Sequence, residues 1–160
     1  MNPLILLSAL AVVPVVLILV FRINAALVFL ALCAGSVLQT FVGDDVLQLF
    51  NSFVPSSNQA LHVAVRIGFL ILPAVLTLLF MRKTVSGSRH VFNFIPALLT
   101  GMVTAILIIP LLTEGTKYTI TTSSVWSQLQ QFQGVLVGSA ALTSFIFLWS
   151  NNRGHRKKKH

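Results

Sequence analysis

The chain has 160 residues, of which 56% are hydrophobic and 9% carry a charge, and its mean hydropathy is +0.90. About a quarter of the residues of an ordinary soluble domain are charged, so this composition excludes a typical water-soluble globular protein. The formal net charge is +8, yet the basic residues are spread between apolar runs, which argues against nucleic acid as a partner. We expect an all-α integral membrane protein whose outer surface is solvated by the lipid bilayer.

Five apolar runs have about the length that a helix needs, at roughly 1.5 Å per residue, to cross a hydrocarbon core about 30 Å thick. They cover residues 4–21, 25–42, 60–81, 91–113 and 132–150. We therefore expect one polytopic domain over residues 1–150, built as a bundle of about five transmembrane helices, followed by a basic tail over 151–160. The first run lacks a positively charged leader and a small-residue cleavage site, which argues against a removed signal peptide.

Two segments between the runs have patterns of their own. Gly43, Asp44 and Asp45 are expected to end the second span and to cap a short amphipathic helix over 44–54 that lies in the membrane interface. Residues 114–127 form a polar stretch rich in Thr and Ser, which predicts a loop. Its Tyr118 and Trp126 suit the aromatic belt at the level of the headgroups.

The charges between the spans predict the orientation of the chain. One side of the arrangement holds Arg22, Arg82, Lys83, Arg89 and the basic tail, and the other holds Asp44, Asp45 and Glu114. Because basic residues are retained on the cytoplasmic side, we expect a multi-pass protein of the cytoplasmic membrane, with the N-terminus outside and the C-terminus in the cytosol. The alternative is the endoplasmic reticulum membrane, since Lys157 and Lys158 stand where a dilysine retrieval signal would have them.

Arg66 is a charge within the third apolar run and is the first candidate functional residue. It lies roughly 9 Å from the outer end of that span at about 1.5 Å per residue, where a charge normally faces protein, water or a partner. One interpretation is a contact with a substrate or an anion. The other is that the side chain extends to the interface or pairs with Asp44, Asp45 or Glu114.

Small residues at helical spacing suggest where helices approach closely. Gly134 and Gly138 form a GxxxG motif in the fifth span, and Gly35 and Gly101 provide small faces in the second and fourth spans. Such faces pack helices within one chain or between chains. We favour packing within the monomer, and a homo- or hetero-oligomer through these faces is the alternative.

The basic tail follows the last span by only a few residues, and it contains Arg153, Arg156, Lys157, Lys158 and Lys159. A cluster of this kind binds anionic lipid headgroups. It can equally serve as a plain topology anchor.

The sequence contains no recognisable catalytic motif, cofactor motif or metal-ligand spacing, so we expect no enzymatic activity and no cofactor. The function we favour is that of a scaffold or accessory subunit of a membrane assembly. The alternative is a small transporter or channel subunit for a small or anionic solute, with Arg66 on the path.

Overall fold

A computed structural model describes residues 3–53, 59–81 and 90–156, and this part of the chain is helical apart from short turns. Seven α-helices follow one another, with a 3₁₀ turn at Ile109–Leu111 between the fourth and the fifth. They are α1 (Pro3–Val20), α2 (Ala25–Phe53), α3 (Gln59–Phe80), α4 (His90–Ile108), α5 (Glu114–Thr121), α6 (Ser124–Gln131) and α7 (Gln133–Arg156).

Three helical stretches are long and apolar enough to cross a membrane, namely Ala25–Phe50, Ala60–Phe80 and Asn93–Leu111. A fourth exists if Ser124–Gln131 and Gln133–Trp149, which meet at a bend of 56°, are taken as one span. The apolar part of α1, Leu4–Val20, is shorter. The expected all-helical membrane-type architecture is therefore found with three to four such helices, and the predicted count of five additionally requires α1 to cross.

The separate interfacial helix expected over 44–54 was wrong, because these residues continue α2 to Phe53 without a break. Glycine inside a helix costs only about 1 kcal/mol relative to alanine, and the packing of α2 against α3 is the most extensive helix contact in the described chain. Asp44 also pairs with a residue of α3. Tertiary contacts thus outweigh the weak local signal at Gly43 and its two following acids.

The polar loop expected over 114–127 was also wrong, since it folds into α5 and the start of α6. Ser123 caps α6, and its Oγ accepts a hydrogen bond from the backbone N–H of Trp126 at 3.3 Å. The Trp126 side chain is 4% exposed and packs with Ile109 and Ile120, so it is a core residue and not part of a headgroup belt. Tyr118, by contrast, is 72% exposed.

Helix α4 lies at the centre of the bundle, where it contacts α1, α2 and α7. Of its most apolar stretch 56% is buried, against 11% for α3, which packs mainly on α2. Helix α4 ends at Ile108, just before Pro110 in the 3₁₀ turn, because proline lacks the N–H that would continue the helix. Helix α4 is therefore the most buried of the long helices in the described chain.

A tight turn joins α1 to α2. Arg22 has a positive φ of 54°, and the two hydrogen bonds of a Schellman ending surround it: Ile23 N–H to the Ile18 carbonyl at 3.0 Å and Arg22 N–H to the Leu19 carbonyl at 3.2 Å. Asn24 then caps α2, because its Oδ1 accepts from the Ala26 N–H at 3.0 Å. The turn at Arg22 is thus formed by ordinary capping chemistry, but α1 and α2 do not pack along their length as a helical hairpin, since α1 packs mainly on α4 and α2 mainly on α3.

Candidate functional site

Arg66 lies on the face of α3 that meets α2, where its Nη2 donates to Oδ1 of Asp44 at 2.7 Å. The sequence named Asp44 as one of three possible partners, and this is the one found. The Arg66 side chain is 41% exposed and that of Asp44 is 69% exposed. The Nε of Arg66 is buried and has no hydrogen-bond partner within the described residues, so its guanidinium relies on Asp44 for its ion pair.

The pair also shows how far along the bundle the Arg66 side chain lies. Asp44 follows the first residue of α2, Ala25, by 19 residues of continuous helix, which correspond to about 28 Å at about 1.5 Å per residue. This is close to the thickness of a hydrocarbon core. Arg66 therefore pairs with a residue just beyond the predicted end of the second span. The functional role considered for this charge stays a prediction.

Two of the four predicted packing glycines stand at helix crossings. A Cβ added to Gly35 of α2 would collide with the backbone carbonyl of Leu70 in α3, and one added to Gly101 of α4 would collide with the carbonyl of Ala11 in α1. Only glycine allows these backbones to come so close. Gly35 and Gly101 thus determine which helices are neighbours in the bundle.

The GxxxG pair of α7 lies differently. A Cβ at Gly134 or Gly138 would meet nothing within 4 Å, and both positions are exposed. Leu142 and Phe145, which follow on the same side of the helix, are 65% and 63% exposed. These four residues form an outward-facing strip, here called the α7 strip. The packing within the monomer that the sequence favoured for Gly134 and Gly138 is therefore absent, and the opposite side of α7, with Ala140 and Ser144, contacts the bundle.

Sequence reasoning missed Asn93, which is completely buried in α4. Its Oδ1 accepts from the backbone N–H of Ala25 at 3.0 Å, and its Nδ2 donates to the carbonyl of Ile23 at 2.7 Å. One amide thus satisfies two backbone groups of the α1–α2 turn, where a helix start leaves N–H groups without partners. The available signal was a single Asn in the first turn of an apolar run. Nothing in the sequence indicated that its side chain would bind a turn about 70 residues away.

The buried hydroxyl groups of α4 are used within the helix. Thr104 Oγ1 donates to the carbonyl of Thr100 at 2.7 Å, and Thr100 Oγ1 donates to the carbonyl of Pro96 at 2.6 Å. The Oγ of Ser144 in α7 is buried and has no partner among the described residues. The hydroxyl groups of Thr100 and Thr104 therefore already donate to backbone carbonyls of their own helix.

The basic tail is only partly described. Helix α7 continues to Arg156, so Arg153 and Arg156 are helical positions. Lys157, Lys158 and Lys159 lie outside the described residues, as do Arg82, Lys83 and Arg89 of the basic loop. The predicted binding of lipid headgroups by the tail therefore stays a prediction.

Within residues 3–53, 59–81 and 90–156, His, Cys, Asp and Glu form no group of three or more that could hold a metal ion. The second ion pair in this part of the chain, Lys117 with Glu114 at 3.6 Å, links neighbouring turns of α5 and adds little to stability at such an exposed position. No protein-family model, curated protein or solved structure matches the chain. The features that remain as candidate sites are the α7 strip and the Arg66–Asp44 pair.

Proposed function

We propose that the protein is an integral membrane protein of the cytoplasmic membrane that acts as a non-catalytic accessory subunit, packing against another membrane-spanning chain through the α7 strip. Its N-terminus would lie outside and its C-terminus in the cytosol, with α1 as a further, short span. The observation that carries the proposal is that Gly134 and Gly138 stand open on the surface of the monomer. A second helix can approach an exposed glycine pair closely and form van der Waals contacts that lipid chains do not provide in the same way.

The distribution of charge supports the membrane placement. Arg22 stands in the turn just before α2. Asp44 lies about 28 Å along α2 from its first residue, Ala25, and this distance is close to one hydrocarbon thickness. Glu114 begins α5 after α4 has run back from the Arg22 end to the Asp44 end. Basic and acidic ends are thus separated by about the thickness of one hydrocarbon core, which supports an orientation with the basic end in the cytosol.

The transport alternative has less support. A solute path would need polar groups that are free to bind the solute or water, whereas Arg66 is paired with Asp44 and the hydroxyl groups of Thr100 and Thr104 are bonded within α4. Of the buried polar groups described, only the Nε of Arg66 and the Oγ of Ser144 have no hydrogen-bond partner among the described residues, and they lie on different helices, α3 and α7. We therefore place the accessory role first.

A site-specific crosslink tests the accessory role. With a photo-crosslinking amino acid at Leu142, in the middle of the α7 strip, irradiation of native membranes should give one discrete product, either a dimer of this chain or an adduct with one other protein. The double change Gly134→Leu and Gly138→Leu should abolish that product, because bulky side chains separate the backbones.

Gly68 provides the matched control. It also faces open space, but on α3, so Gly68→Leu should leave the crosslink from Leu142 unchanged. Crosslinking to lipid alone, or an equal loss with Gly68→Leu and with the α7 changes, would contradict the proposal.

A further inference from the structure

A groove of about 410 Å³ runs between α1 and α3, and its lining presents only apolar surface. Helix α1 rests on α4 and α3 rests on α2, so α2 and α4 form the floor of the groove. The lining includes Leu10, Leu17, Ile71 and Leu78 from the walls and Val28 and Ile108 from the floor. Thr104 is the one hydroxyl residue among the lining residues, and its Oγ1 is already bonded to the Thr100 carbonyl.

The dimensions of the groove fit one hydrocarbon chain. Its α1 wall extends from Leu6 to Ile18, which is about 18 Å of helix. An extended chain of that length has roughly 14 methylene groups at about 1.25 Å each along the chain.

A cation stands at one end of the groove. Ile18 is the last residue of α1 that lines it, and Arg22, exposed in the following turn, comes four residues later. Arg22 has no ion pair within the described residues. All three acidic residues of the chain belong to the opposite end, at the end of the membrane-length part of α2 and the start of α5. An anionic group would therefore find an uncompensated positive charge at this end alone.

We propose that the groove between α1 and α3 is a binding site for one acyl chain of an anionic phospholipid, whose headgroup lies beside Arg22. The apolar lining excludes a polar ligand, and the position of Arg22 selects a lipid of the leaflet on the basic side. This inference rests on the membrane placement proposed above, but not on the α7 strip, which is a separate surface.

Native mass spectrometry of the protein purified from vesicles of equal parts phosphatidylglycerol and phosphatidylcholine tests the site. The native chain should retain one lipid, with at least a fivefold preference for phosphatidylglycerol. Ala9 is exposed and lines the groove, so Ala9→Trp should fill it and lower lipid retention at least fivefold. Ala34 is an exposed residue of α2 outside the groove lining, and Ala34→Trp should retain lipid as the native chain does.

A second variant separates the headgroup from the chain. Arg22→Asn preserves the positive φ, which asparagine tolerates, and it should reduce the preference for phosphatidylglycerol to about one while one lipid is still retained. Equal retention by the Ala9→Trp and Ala34→Trp variants would overturn the groove as the site, and so would a lipid-free dimer in which Ala9→Trp blocks association. Circular dichroism should show that both tryptophan variants keep native helicity.

A separate experiment tests whether the protein is embedded in the membrane. If the protein were released from membranes by alkaline carbonate, the membrane placement itself would fail. If it stayed in the membrane fraction while Ala9→Trp had no effect on lipid retention, only the lipid site would fail.

Discussion

The guanidinium Nη2 of Arg66 lies 2.7 Å from Oδ1 of Asp44, and this contact joins α3 to α2 across 22 residues of chain. The two partners are unequal, because Asp44 is mostly in contact with solvent whereas the Nε of Arg66 is buried without a partner in the described chain. The carboxylate could be hydrated if the contact were lost. The guanidinium would keep a buried N–H and lose its counter-ion.

This inequality predicts an asymmetric response to mutation. Arg66→Leu should change the free energy of unfolding by less than about 1 kcal/mol, as is typical of a partly exposed ion pair, because Asp44 can then be solvated. Asp44→Asn should be the more destabilising of the two, by up to about 1 kcal/mol, since it removes the counter-ion of a guanidinium whose Nε already has no partner in the described chain. Thermal unfolding in detergent, followed by circular dichroism, measures both.

Asp45 is the control for this comparison, because no ion pair is found for it among the described residues. Asp45→Asn should behave like the native chain. If Asp44→Asn and Asp45→Asn were equally stable, the Arg66–Asp44 pair would contribute nothing to the stability of the fold. Arg66 would then again need a functional explanation.

The amide of Asn93 should be irreplaceable in the bundle. Asn93→Ala leaves the carbonyl of Ile23 and the N–H of Ala25 without their side-chain partner, at about 1–3 kcal/mol for a buried group that loses its hydrogen bond. Asn93→Asp has nearly the same shape but cannot donate to Ile23 when ionised, so it should not rescue stability at neutral pH. Chemical or thermal unfolding of the three proteins in one detergent checks this, and an alanine variant with native stability would contradict it.

The glycines should separate into two classes on substitution by alanine. Gly35→Ala and Gly101→Ala place a Cβ against a neighbouring backbone carbonyl, so each should destabilise by about 1–3 kcal/mol, as overpacked cores do. Gly138→Ala meets open space and should stabilise the monomer by up to about 1 kcal/mol through helix propensity. Unfolding at low protein concentration measures the monomer, and equal responses at Gly35 and Gly138 would be inconsistent with the helix crossings described.

The proposed orientation has a direct test. Single cysteines at Ser88 and Thr121, in a Cys33→Ala background, should react differently with an impermeant thiol reagent on intact cells. Thr121 in the α5 segment should be labelled and Ser88 in the basic loop should not, because basic loops remain in the cytosol. Labelling of Ser88 without Thr121 would mean the inverted topology, and permeabilised cells provide the control that both cysteines are reactive.

The sequence predicted the parts of the fold that depend on composition along one helix. Apolar runs and the turn at Arg22 could be read directly, because helix length and capping are local properties. The continuity of α2 through Gly43 could not, since the favourable term comes from packing against α3. The same holds for Trp126, whose burial depends on how α5 and α6 fold back onto the bundle.

The candidate site was predictable in kind but not in detail. Small residues mark close helix approach, and two of the four glycines that the sequence singled out, Gly35 and Gly101, stand at helix crossings. Which glycine has a neighbour depends on how each helix is rotated about its axis. Gly35 and Gly101 face partner helices, whereas Gly134 and Gly138 face outward, and no pattern within a single helix contains that information when both faces are apolar.

The contact between Asn93 and the α1–α2 turn also concerns the order in which the protein is made. The Ile23 carbonyl and the Ala25 N–H leave the ribosome about 70 residues before the side chain that binds them. The α1–α2 turn therefore lacks this side-chain partner while α2 and α3 are synthesised, and it gains the partner only after α4 has been synthesised. Because Gly101 of the same helix is where α1 makes its close approach, one late helix completes both contacts. Assembly from the N-terminus is thus not a series of independent hairpins but is completed by the fourth helix.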